Sequence, residues 1–137
     1  MNDGRQYELR VDLFDWEGEH RYAKYSHFYV ETEPYNYRVR ISGYTGNADG
    51  DSFGSLQNGQ QFRTVDDDSF ACGAGGGGFW CSTYYVYVGT IGHGGFLPNG
   101  RYSYNSSVPY GSGLHWMHWR GLEYSLKAVS MIYRATN

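Results

Sequence analysis

Two cysteines, Cys72 and Cys81, frame five glycines, one alanine and the pair Phe79-Trp80, and three consecutive aspartates, Asp66, Asp67 and Asp68, stand just ahead of them. Several chemistries use such residues. A phosphate cradle needs a lysine and a Ser/Thr directly after its glycines, opening a helix; Phe-Trp-Cys follows here. A thioredoxin-type pair keeps two residues between its cysteines, and here eight intervene. A structural zinc site takes about four closely spaced ligands, whereas His20, His27, His93, His115 and His118 are scattered along the chain. The remaining reading is a short Cys72–Cys81 disulfide loop. Two cysteines with no thiol left over suit an oxidising compartment, and glycine lets so small a ring close. Chain entropy gives such a ring only about 2–3 kcal/mol, so its use is to fix local shape.

The aspartates allow two readings. Three like charges in sequence form a solvated acidic turn, or they serve a cation. Calcium accepts carboxylates and backbone carbonyls in irregular loop geometry. Asp66 and Asp68 alternate, so their side chains could converge on one ion while Asp67 points away, with the carbonyls of Phe70 and Cys72 completing the shell. The aromatic load allows two readings as well. Fifteen tyrosines, seven phenylalanines and four tryptophans in 137 residues make either an aromatic β core or a surface where rings stack on sugars or acetyl groups.

The elements that must position these residues read as strands. Tyr7 to Trp16 alternates, with Leu9, Val11 and Leu13 on one face and Arg10 and Asp12 on the other. A turn centred on Gly18 leads to a returning strand in "HRYAKYSHFYVE", giving a hairpin. "YNYRVRISGY" alternates again, Tyr37, Val39 and Ile41 against Arg38, Arg40 and Ser42. A turn-rich segment follows, with a short helix expected near Asp51 to Leu56. From Thr64 to Trp116 the periodicity fades, apart from a strand-like run over residues 83–91, and a loop region of that length in a compact domain is usually functional. The closing stretch "LEYSLKAVSMIYR" fits helix or strand; strand is favoured, because Tyr124, Leu126, Ala128 and Ser130 can share a face that Ile132 continues. The length suits one domain. No window reaches eighteen apolar residues, so no membrane span is expected. The net charge of -3 and the lack of a basic run argue against a nucleic-acid partner. No basic-then-apolar leader opens the chain.

At this point the chain resembles a known family. The order "YELRVDLFDWEGEHRYAKYSHFYV", "YRVRISGYTGNADGDSF", "NGQQFRTVDDD", "C…GGGFWC", "PNGRY" and "GLHWMHWRGLEYSLKAVSMIYR" is similar to the fibrinogen-related domain, over nearly the whole chain. The most specific pieces are "AKYSHFYV", "NGQQF" and the W-x-x-W-R-G-x-x-Y-S-L-K pattern from Trp116 to Lys127. The resemblance implies an α+β fold: a twisted antiparallel sheet with short helices, followed by a loop-rich subdomain with a calcium site, a short disulfide and a ligand pocket. It implies one domain over 1–137, with the central sheet in roughly 5–62 and 122–135 and the loop-rich part in roughly 63–121. The family domain usually begins with a further N-terminal subdomain, and this chain is expected to start after it.

Residue by residue, the resemblance implies Ca2+ held by the side chains of Asp66 and Asp68 and the carbonyl of Phe70; the loop before Cys72 is shorter than usual, so the second carbonyl is unassigned. It implies a Cys72–Cys81 disulfide. The family's Gly-Trp-Trp stands here as Gly78-Phe79-Trp80, and its histidine after the second cysteine is replaced by Ser82. Its later pocket segment matches Tyr110-Gly111-Ser112-Gly113, and a second pocket aromatic is replaced by Leu122. Trp80, Tyr110 and Leu122 would line an apolar cup, with Gly111 beside it and the N–H groups of Cys81 and Ser82 as donors; alternatively Trp80 and Tyr110 only pack the loop core. The function implied is a secreted, non-enzymatic, calcium-dependent lectin-like module for acetylated sugars on microbial surfaces, as in innate immunity. The competing implication is a protein-interaction domain of clotting, receptor-ligand or matrix type. Weak single-site binding would call for multivalency, hence a homo-oligomer, and Asn105-Ser106-Ser107 is a sequon for N-glycosylation of Asn105.

Overall fold

The computed structural model describes residues 4–64, 78–81, 95–100, 102–108 and 113–136. Its centre is a four-stranded antiparallel sheet of β1 (Tyr7–Phe14), β2 (His20–Val30), β3 (Val39–Gly46) and the last strand (Ala128–Ala135), in the order β3-β2-β1-last strand. Between β3 and that last strand lie a one-turn helix, α1 (Gly54–Gln57), and two small ladders, β4 (Arg63–Thr64) with β5 (Gly78–Phe79) and β6 (Phe96–Leu97) with β7 (His115–Trp116). The last strand is therefore β8. The strand expected over 83–91 lies outside the described residues.

Alternation in β1 translates directly into burial: Leu9, Val11 and Leu13 are inside, and Arg10 and Phe14 face outward. The hairpin turn is closed by Asp15, whose Oδ1 accepts the N–H groups of Glu17 (3.0 Å) and Glu19 (2.7 Å). Gly18 sits at that turn as expected, with φ of +83°.

Two strands depart from regular alternation. In β2 the buried residues are Ala23 and Tyr25, then Phe28, so the inward phase moves by one residue. In β3, Val39 and Ile41 are buried, but Tyr44, not Ile41's odd-numbered successor Gly43, next packs on the core. The β2–β3 register stays in step throughout, from Ala23↔Gly46 to Val30↔Val39. The phase change is thus made jointly by both strands. Gly43 enables it: its φ is +79°, and a Cβ there would lie 1.9 Å from Ser26 Oγ, so only glycine fits without strain. Tyr37, read as the first inward residue of β3, instead precedes the strand, with φ of +54° and about half of it exposed.

The closing strand needs a correction. Val129 and Met131 pack on the core, opposite Leu13 and Val11, while Ala128 and Ile132 are exposed. The inward phase is therefore the odd-numbered one, and Ile132 lies on the outer face. Tyr124 and Leu126 belong to the preceding loop. Leu126 is buried there by a different device: its N–H reaches the Leu114 carbonyl at 2.8 Å.

The second layer is aromatic. Phe53, Phe79, Phe96 and Trp116 form a chain of edge-to-face and tilted contacts with ring centroids 5.2–5.5 Å apart, the spacing at which ring quadrupoles attract. Trp116 is fully buried, and its indole N–H donates to the carbonyls of Ala48 and Gly50. Gly100, in the family-like Asn-Gly pair, presses on another segment: a Cβ there would lie 2.1 Å from the Gly113 carbonyl oxygen.

Candidate functional site

Gln57, at the end of α1, is fully buried and spends both ends of its amide on the loop layer. Its Nε2 donates to the Trp80 carbonyl at 2.7 Å, and its Oε1 accepts the Phe96 N–H at 2.8 Å. α1 is itself held by Asp51, whose Oδ1 accepts the Gly54 N–H at 2.6 Å and the Tyr25 hydroxyl at 2.6 Å. Burial, and then the bond to Asp51, push the Tyr25 phenol well above the ordinary tyrosine range. Sheet, helix and loops are thereby locked around Trp80.

Trp80 is half-buried. Its ring meets Phe28, Phe53, Phe62 and Phe79 at centroid distances of 5.0–6.3 Å, and its indole N–H donates to the Tyr37 carbonyl at 2.6 Å. It forms one wall of an open cavity of about 960 Å³. The floor is the inner face of the sheet: Leu9 from β1, Phe28 and Val30 from β2, Met131 and Tyr133 from β8. Phe28 and Val30 reach it because of the phase change at Gly43. The other walls are Tyr37, Phe62 and Phe79, and the polar lining comes from Asn36, Thr64 and Asn99. Among the described residues, none of those lining it is charged. Tyr37, Phe62 and Tyr133 remain 48%, 36% and 57% exposed, which leaves large rings presented to solvent at its mouth.

The sequence-derived site residues fall in different places. Asp66, Asp68, Phe70, Cys72, Ser82, Tyr110 and Gly111 lie outside the described residues. Cys81 is fully buried in the core and is not a free thiol. Leu122 is buried, yet it lies neither in the main core cluster nor in the cavity that Trp80 lines. The structure thus does not bring Trp80 and Leu122 together at that cavity. His115 is buried with its Nδ1–H on the Gly113 carbonyl, while His118 is exposed and hydrogen-bonded to the buried Ser52 hydroxyl at 2.6 Å. Among the described residues no three His, Cys, Asp or Glu side chains are grouped to hold a metal. The cavity residues Tyr37, Phe62 and Tyr133 escaped the sequence reading. The one available signal was that Tyr133 shares the odd-numbered phase of Val129 and Met131.

A second polar centre ties the β1–β2 turn to the segment before β8. Asp15 is fully buried and receives Arg120 at 2.5 Å, with Glu17 and Glu19 at 3.5 and 3.7 Å from the same guanidinium. Burial raises the Asp15 pKa, but Arg120 and the Glu19 and Glu17 N–H groups outweigh it and hold the carboxyl below its ordinary value.

A twisted antiparallel sheet overlaid by a loop-rich aromatic layer defines an α+β domain of the fibrinogen-like globe class. The family described as "Fibrinogen beta and gamma chains, C-terminal globular domain" matches residues 1–136, and the chain belongs to it. Angiopoietin-2 of Sus scrofa is 34% identical over 139 residues, covering 98% of this chain and 26% of that protein. Techylectin-5A of Tachypleus tridentatus is 35% identical over 139 residues, covering 98% of this chain and 44% of that protein. The chain thus spans between a quarter and a half of the length of these relatives. Among solved structures, the fibrinogen-like globe domain of human ANGPTL2 superposes with a TM-score of 0.81 at 33% identity, over 96% of this chain and 59% of that one. The lamprey fibrin D-dimer, complexed with the peptide ligand Gly-His-Arg-Pro-amide, gives 0.72 at 29% identity, over 94% of this chain and 45% of that one.

Proposed function

We propose that this chain is an extracellular, non-enzymatic recognition module whose aromatic cavity receives apolar side chains of a protein ligand. The observation that carries this reading is the open cavity of about 960 Å³ between sheet and Trp80, whose described lining is aromatic, aliphatic and uncharged. Its described lining is dominated by Leu9, Phe28, Val30, Phe62, Phe79, Trp80 and Met131, which suits an apolar surface more than the hydroxyls of a sugar ring. The lamprey fibrin D-dimer, a relative of this fold, is complexed with a peptide, which supports a polypeptide ligand; that peptide is cationic, so the apolar preference rests on the cavity lining alone. Selection from a displayed peptide library tests it. Peptides with aromatic or aliphatic anchors are expected, titratable through Trp80 fluorescence, and Phe62→Ala or Tyr133→Ala should weaken them about tenfold, roughly 1.4 kcal/mol. Unchanged affinity in both variants overturns the reading.

A second reading, calcium-dependent binding of acetylated sugars, is favoured by the similarity to Techylectin-5A. In it Asp66, Asp68 and the Phe70 carbonyl hold Ca2+, a Cys72–Cys81 disulfide fixes the glycine loop, and Trp80, Tyr110, Gly111, Leu122 and the N–H groups of Cys81 and Ser82 form the cup, with surface contacts building a homo-oligomer. The burial of Cys81 without a free thiol supports the disulfide. Calcium at about 100 times its Kd would stabilise the fold by roughly 2.7 kcal/mol, and Asp66→Asn with Asp68→Asn should abolish that rise in Tm. Calcium-dependent retention on an N-acetylglucosamine resin, eluted by the free sugar, decides for this reading over the first; no retention decides against it.

A further inference from the structure

We propose that Asn105 carries an N-linked glycan whose first sugar lies across the rings of Tyr102 and Tyr104; the inference rests on the extracellular reading above. Asn105 is exposed and begins Asn-Ser-Ser, an acceptor triplet without proline at its centre. Its backbone N–H donates to Ser103 Oγ at 3.3 Å, and its Oδ1 lies 3.5 Å from the same hydroxyl. Its Nδ2, the atom that would be glycosylated, makes no hydrogen bond among the described residues. The rest of the triplet is anchored. Ser106 O accepts the Ser125 N–H at 2.8 Å, Ser107 bridges to Tyr124, and the Val108 N–H donates to Glu123 O at 3.2 Å. The acceptor therefore projects from a fixed support.

The two tyrosines supply the independent observation. Tyr102 is 53% and Tyr104 87% exposed, and they meet edge to face at 5.2 Å and 83°. An edge-to-face pair leaves a ring face open, and the C–H groups on one side of a pyranose ring are suited to cover it. The rings stand three residues and one residue before the acceptor, and the proposal seats the first N-acetylglucosamine on them. In the transfer, the C1–O bond of a lipid diphosphate-linked oligosaccharide breaks, the diphosphate leaves with the electron pair, Nδ2 forms the new bond to C1, and one Nδ2 proton passes to base. The co-reactants are that lipid-linked donor and the secretory pathway's oligosaccharyltransferase.

The test expresses the chain behind a heterologous secretory leader in eukaryotic cells, which makes the result independent of native export; native export is read separately, from the fraction holding the full-length protein. Peptide mapping after amidase release is expected to find Asn105 modified, and Ser107→Ala to abolish the modification while the protein stays folded. Deglycosylation should lower the Tm of the parent by a few degrees and leave Tyr102→Ala/Tyr104→Ala unchanged. Secreted, folded protein with unmodified Asn105 overturns the proposal. A Tm loss of equal size in parent and double variant overturns the aromatic seat.

Discussion

At the residue scale, the domain depends on a few buried polar groups with partners far away in sequence. Gln57 joins α1 to Trp80 and Phe96 through both ends of one amide. Gln57→Leu keeps the volume but strands a buried carbonyl and a buried N–H, so a loss of about 2–5 kcal/mol is expected in chemical denaturation. Asp15 gives a pH signature. Its folded-state pKa is depressed, so the unfolded chain binds the proton more tightly, and the stabilisation is present above the ordinary aspartate value, near pH 4. It is lost as pH falls through the lower folded value. Acid unfolding of Asp15→Asn should therefore depend less steeply on pH below about 4 than that of the parent. Neither role was legible beforehand. Asp15 reads as a turn residue, which it is, but its bond to Arg120 spans 105 positions, and nothing local marks Gln57 as buried.

At the element scale, β1 and the β1–β2 hairpin could be read from alternation alone, because one face is buried and the period is two. The β2–β3 pair could be read only in part. Both strands move their inward phase at Ser26 and Gly43 while keeping register, and a pattern that assumes one phase per strand misses it. Gly43→Ala forces a left-handed φ on a residue with a Cβ and drives that atom into Ser26, so a destabilisation of about 1–3 kcal/mol is expected. Adding Ser26→Ala removes the Oγ that the Cβ meets at 1.9 Å. It should restore part of the loss but not all, since the backbone strain remains; thermal melts of the single and double variants measure this. In β8 the error was one residue of phase. Ala128, Ser130 and Ile132 made a plausible face, but Val129 and Met131 are opposite Leu13 and Val11, and the partner strand decides which face is buried.

At the scale of the whole molecule, the fold was legible and the cavity was not. The motifs that carry the resemblance lie on the sheet and on the Trp116–Lys127 segment, where packing restricts sequence. The cavity draws on β1, β2, β8 and several loops at once, so no spacing along the chain announces it. An open apolar cavity of this kind should bind a fluorescent probe such as ANS in the native state, and Tyr133→Ala should change that binding without a loss of cooperative unfolding. A chain ending before residue 128 loses the neighbour that shields one edge of Leu9, Val11 and Leu13. Such a chain is expected to show no cooperative melt by circular dichroism.

The pairing of β8 with β1 also imposes a schedule on the cell. Phe14 and its ladder partner Ala128 are 114 positions apart, so a ribosome adding roughly 5–20 residues per second leaves β1 waiting on the order of ten seconds for its permanent neighbour. During that interval the nascent sheet presents an open edge to every other chain in the compartment. Its closure can come only once residues 128–135 have emerged, and the protein's yield will depend on the chaperones that guard that edge until then.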